Sequence, residues 1–168
     1  MRIQHDTGGV QREETTSEER AAYRLLVETL REDGWPVERL DERSTVRFFF
    51  SSQFGDLRCY AQIRQSEQQL LCYTLAPVKA PEEARLGVAE FLTRANYGLP
   101  IGNFEMDFRD GEVRYKSSLD FEGERLTGRL IRNTLYPAIY TMEEYLPGLL
   151  LVMFGDEAPE SAIRAIEG

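Results

Sequence analysis

The stretch STVRFFFSSQFGDLRCYAQIRQ, residues 44–65, decides the fold. Val46, Phe48 and Phe50 alternate with Arg47, Phe49 and Ser51, the period of a strand with two different faces. Leu57, Cys59, Ala61 and Ile63 repeat the pattern after Gly55-Asp56. A glycine-first pair suits a type II′ turn. Tight pairing across it predicts Phe50 opposite Ala61 and Phe48 opposite Ile63, with the apolar faces coincident. LLCYTLA (70–76) supplies a third strand, whose face is open because a two- or three-residue loop would orient it oppositely. VERL (37–40) reads as a further short strand.

Upstream, residues 1–16 are polar and aperiodic and are expected to form a flexible tail. Thr16 and Glu19 form a capping box. Tyr23, Leu26, Val27 and Leu30 then mark one face of a helix stopped by Gly34. Downstream, Pro81 with Glu82 and Glu83 begins a second helix. Its stripe is Ala84, Val88, Phe91, Leu92 and Ala95, and Asn96, Gly98 and Pro100 end it.

FEMDFRDGEVRYKSS (104–118) is a second hairpin, with Asp110-Gly111 read as a type I′ turn. Counting outward predicts Phe108 opposite Val113, Met106 opposite Tyr115, Asp107 opposite Arg114 and Glu105 opposite Lys116. Thr127 caps a terminal helical region. Pro137 and Pro147 each remove a helical hydrogen bond. With a second capping box at Thr141 and Glu144, they predict two or three short helices over the sheet. LLLVMF (149–154) is apolar all round and is read as core or, through Leu149, Leu150, Val152 and Met153, as a candidate dimer interface. Residues 156–168 form a short extension, with PESAIRAIEG adding a turn of helix.

The fold class that results is α+β. About five to six antiparallel strands pack with helices in the order α-β-β-β-α-β-β-α, within a single domain over 17–155. Composition agrees: 168 residues, 42% hydrophobic and 11% aromatic, suit one globular unit. The formal charge of -9 disfavours nucleic acid and anionic membrane as partners. The opening twenty residues hold no apolar run, so no signal peptide is expected, and the protein is read as soluble and cytoplasmic.

Catalytic signatures are scarce. The one histidine, His5, lies in the tail, which removes the usual Ser-His-Asp and Cys-His constellations. Cys59 and Cys72 sit in apolar strands as buried free thiols and are too few for the common zinc sites. No phosphate-binding glycine loop occurs. Glu105 and Asp107 point the same way, but a glycosidase-type pair needs a cleft that raises one pKa, and each here faces a basic residue. No catalytic residue, metal or cofactor is therefore expected. Arg58, Arg64, Arg114 and Lys116 are expected to share a face with Tyr60, though acidic Glu105, Asp107 and Glu112 interrupt any nucleic-acid stripe. Phe49 and Tyr60 lie opposite the core face. They are either a protein-binding surface or a second core under a terminal helix.

The block FLTRANYGLPIGNFEMDFRDGEVRYKSSLDFEG (91–123), followed by YTMEEYLPGLLLVMFG (140–155), resembles the YbjN-like family of bacterial sensory transduction regulators, whose fold is similar to class I type III secretion chaperones. An asparagine-containing helix end, Asn96, leads into an alternating strand and a DGEVRY hairpin. The resemblance implies a domain that dimerises and binds extended polypeptide segments, and it supplies no catalytic residue. A non-enzymatic chaperone-like or regulatory module is expected, with Phe49, Tyr60, Arg58, Arg114 and Lys116 as partner-binding residues. The alternative is a small-ligand sensor with a pocket between the sheet and the terminal helices.

Overall fold

The computed structural model describes residues 21–40 and 44–168. The polar tail and the Thr16–Glu19 box lie outside the described residues. A first helix, α1 (21–32), buries Tyr23, Leu26, Val27 and Leu30, the four residues its spacing singles out. Gly34, at φ +84°, turns the chain away.

Six strands follow: β1 (Glu38–Leu40), β2 (Thr45–Ser52), β3 (Gly55–Arg64), β4 (Gln69–Leu75), β5 (Asn103–Met106) and β6 (Val113–Asp120). They form one antiparallel sheet in the order β1-β2-β3-β4-β6-β5. Between β4 and β5, a 3-10 turn at Glu82–Ala84 leads into α2 (Arg85–Gly98), which buries Val88, Phe91, Leu92 and Ala95. The fold class and element order match the sequence reading.

Both hairpin registers differ from the expected ones. Ser52 pairs with Gly55, so the turn is Gln53-Phe54 and Phe48 lies opposite Cys59 rather than Ile63. In the second hairpin Met106 pairs with Val113 and Phe104 with Tyr115. The connection is longer because aspartates build it. Asp107 Oδ1 accepts the Arg109 N–H at 2.9 Å, and Asp110 Oδ1 accepts that of Glu112 at 3.0 Å. Gly111 is required there: its φ is +77°, and a Cβ would lie 2.1 Å from the Ala80 carbonyl oxygen. Phe108, expected on the buried face, is consequently displaced into the turn and is 54% exposed. Both shifts are even numbers of residues, so every side chain that remains in the ladders keeps its face. The face of β4 is fixed by the Arg64–Gln69 pair, which leaves a four-residue loop and turns Leu70, Cys72 and Thr74 to the core.

The terminal region is one helix, α3 (Gly128–Phe154), 27 residues long with Pro137 and Pro147 inside it. The expected breaks do not occur. Thr127 does cap it, accepting the Leu130 N–H at 3.2 Å, but Thr141 lies within the helix. Each proline costs about 3 kcal/mol in a helix interior. Against this stand buried side chains worth about 1.5–3 kcal/mol each, among them Ile131, Leu135, Ile139, Met142, Leu146 and Leu149. The carbonyls freed four residues before the prolines belong to exposed Asn133 and half-buried Glu143.

After Gly155 the chain forms α4 (Pro159–Glu167), which docks on α2 and α3. Ala162 is buried, and Tyr145 donates to Glu167 at 2.8 Å. Gly148 makes room: a Cβ would lie 2.6 Å from Ile166 Cδ1 and 3.1 Å from the Phe91 ring. A polar clasp joins α1 to α3. Arg132 donates to both oxygens of Asp33, Tyr136 donates to Asp33 at 2.6 Å, and Trp35 donates to the Tyr136 hydroxyl at 3.1 Å.

Candidate functional site

The helices gather on one face of the sheet, over Val46, Phe48, Leu57, Cys59, Ala61, Leu70, Cys72 and Tyr115. Among the described residues no helix covers the other face. Phe49 is 48% exposed and Tyr60 half-buried, and no described residue forms a second core above them.

Strand pairing assembles this open face into rows. One runs Phe49, Arg58, Leu75, Arg114, Glu105 across β2, β3, β4, β6 and β5. The next runs Glu38, Arg47, Tyr60, Tyr73, Lys116, Asn103. All five partner-binding candidates, Phe49, Tyr60, Arg58, Arg114 and Lys116, thus share two adjacent rows. Tyr73 and Leu75 join them, because the face of β4 could not be assigned from sequence.

Most charges in these rows are matched in place. Arg47 Nε donates to Glu38 at 2.9 Å. Glu105 accepts from Arg114 at 2.9 Å and from Lys116 at 2.5 Å. Partial burial would raise the Glu105 pKa, but the hydrogen bonds from Lys116 and Arg114 outweigh it and hold the carboxyl below its usual range. The guanidinium of Arg114 also lies 4.5 Å from the centre of the Tyr73 ring, which steadies both. Arg58 is the exception: it is exposed, and its side chain makes no ion pair or hydrogen bond among the described residues.

The candidate acid pair holds no carboxyl with a raised pKa. Glu105 and Asp107 line an open groove of about 440 Å³ beside the second hairpin. Hydrogen bonds from the Arg109 side chain and backbone hold Asp107 down to about 2. Both carboxyls are therefore ionised at neutral pH, and neither is poised to give up a proton. Burial pushes the Cys59 thiol up to about 12 and raises that of Cys72 as well, so neither is primed as a nucleophile. Among the described residues no cluster of three or more His, Cys, Asp or Glu could hold a metal, and no helix is long and apolar enough to cross a membrane.

The candidate dimer residues are largely spent within the chain. Leu149, Val152 and Met153 are 0%, 9% and 6% exposed, and Leu150 is half-buried. The all-apolar run is core because α2 and α4 both pack on this end of α3. Leu149, Val152 and Met153 therefore offer little surface beyond this chain's own core. Where the alternative reading placed a pocket, between the sheet and α3, Leu135, Ile139, Met142 and Tyr115 are at 0% exposure.

One edge of the sheet is capped at Phe104 by a residue whose role the sequence did not show. Asn96, at the end of α2, accepts the Phe104 N–H at 2.7 Å and donates to the Phe104 carbonyl at 3.1 Å. Its amide copies the hydrogen bonds of a neighbouring strand and occupies the outward N–H and carbonyl of Phe104 in β5. A segment adding to the sheet there would find them taken.

Two solved structures share this architecture. The ExsC–ExsE complex matches at 20% identity and TM-score 0.54, over 76% of this chain and 92% of that one. YbjN from E. coli, described as "a putative transcription regulator", matches at 15% identity and TM-score 0.55, over 73% and 89%. No curated protein matches the chain. The family model of YbjN, "Putative bacterial sensory transduction regulator", matches residues 23–151. The chain belongs to the YbjN family.

Proposed function

We propose that this protein is a non-enzymatic, cytoplasmic binding module, chaperone-like or regulatory, that holds a polypeptide partner on the open face of its sheet. The observation that carries this is the uncovered face itself. Phe49 stands half in water beside Tyr60, Tyr73 and Leu75, with guanidinium and ammonium groups set between them. Aromatic side chains with arginine are the residues that anchor protein interfaces. The description of the family as a regulator and the likeness to ExsC, which was solved bound to ExsE, support a protein as the partner. Burial of partner side chains against Phe49 and Tyr60 supplies affinity, and Arg58, Arg114 and Lys116 set register.

The experiment is affinity capture from the native cell with the wild-type chain and Phe49→Asp. Phe49 is on the surface, so the variant keeps its circular dichroism while losing the captured partner. A folded Phe49→Asp chain that retains the same partner would show that the open face is not the binding surface.

A further inference from the structure

Taking the open face as the binding surface, we infer that the segment it takes is acidic as well as apolar: an extended stretch in which carboxylates and aliphatic side chains alternate along one edge. The two central rows carry four cations, Arg47, Arg58, Arg114 and Lys116, against two carboxylates, Glu38 and Glu105. This locally positive strip lies on a chain whose formal charge is -9. At physiological salt the screening length is about 8 Å, so a docked side chain responds to this strip and to the acids at its rim, Asp56 two residues before Arg58 and Glu112 beside Arg114, and little to the rest of the chain. Elsewhere the chain repels an acidic segment, which makes the contrast selective as well as attractive.

Arg58 is central to this reading. It stands between Phe49 and Leu75, while the other three cations are already engaged by Glu38 and Glu105. The row therefore reads apolar, unpaired cation, apolar, cation. Its complement is apolar, acid, apolar, acid. A guanidinium offers two parallel donors to a carboxylate, which fixes the register of the segment as well as attracting it.

The probes are three fluorescent peptides of the form Leu-Ser-X-Ser repeated four times, with X as Glu, Gln or Lys. By fluorescence anisotropy at 150 mM salt, the Glu peptide is expected to bind about tenfold more tightly than the Gln peptide, with the Lys peptide weakest. Arg58→Glu, an exposed substitution, removes that preference and narrows the gap to the Lys peptide; Arg58→Lys retains most of it. Equal binding of the Glu and Gln peptides, lost in both cases with Phe49→Asp, would overturn the acidic class and leave the surface standing. Binding that ignores both Phe49→Asp and Arg58→Glu would overturn both. No binding by any of the three would overturn the inferred segment, and the capture experiment would still judge the surface by itself.

Discussion

Adjacent phenylalanines give a direct measure of which side of the sheet is covered. Phe48 is 1% exposed and its ring centre lies 5.0 Å from that of Trp35, whereas Phe49 is 48% exposed beside Arg58. Cutting Phe48 to alanine removes a fully buried ring and leaves a hole, at a cost of about 3–5 kcal/mol. Full burial of such a side chain is worth about 1.5–3 kcal/mol, so Phe49→Ala, with half its ring already wet, costs about 1 kcal/mol. With a urea dependence of about 2 kcal/mol per molar, the Phe48 variant loses roughly 2 M in midpoint and the Phe49 variant about 0.5 M. Urea titrations followed by circular dichroism, with the slope unchanged, read this difference. Equal losses for the two variants, or a larger one for Phe49, would mean that both faces are covered, and the binding surface described above would not exist.

The clasp between α1 and α3 makes stability depend on pH. The hydrogen bond from Arg132, aided by Tyr136, holds Asp33 below its ordinary value of 3.8 despite burial. A lowered folded pKa contributes stability above the unfolded value and loses it as pH falls through the folded one. Asp33→Asn should cost about 1–2 kcal/mol at pH 7, with a gap that closes below about pH 4; a gap that persists in acid would refute the assignment. Asn96→Ala removes two hydrogen bonds and should cost about 1–3 kcal/mol while speeding amide exchange at Phe104, and an unchanged exchange rate there would show that the edge is not sealed by this side chain. At pH 8 neither Cys59 nor Cys72 should react with iodoacetamide until denaturant is added, since burial keeps both as thiols; stoichiometric labelling of the native chain would contradict their placement.

Faces, except that of β4, were legible in the sequence and registers were not, for one reason. Alternation has period two, and shifting a pair by an even number of residues leaves it intact. Gly55-Asp56 and Asp110-Gly111 both look like hairpin centres, yet Gly55 closes the ladder opposite Ser52, and Gly111 sits at the end of a loop that Asp107 and Asp110 hold in shape. Face membership alone was enough to bring Phe49, Tyr60, Arg58, Arg114 and Lys116 together. The continuity of α3 was hidden because proline is a local signal and the burial that overrides it is tertiary. The polar clasp was hidden by distance: Asp33 and Arg132 are 99 positions apart and share no pattern. Asn96 was visible only as a helix stop, since its bond to Phe104 depends on how the returning chain passes it.

The lone tryptophan makes a ready-made optical reporter for this architecture. Trp35 is wedged against Phe48 and Phe50 and tethered to Tyr136, on the far side of the sheet from Phe49. A guest lying across the exposed strands leaves its emission colour almost untouched, whereas one that pries α3 off the sheet hydrates the indole and shifts it to the red. A single fluorescence spectrum can thus tell a docked segment from a swallowed ligand before any complex is crystallised.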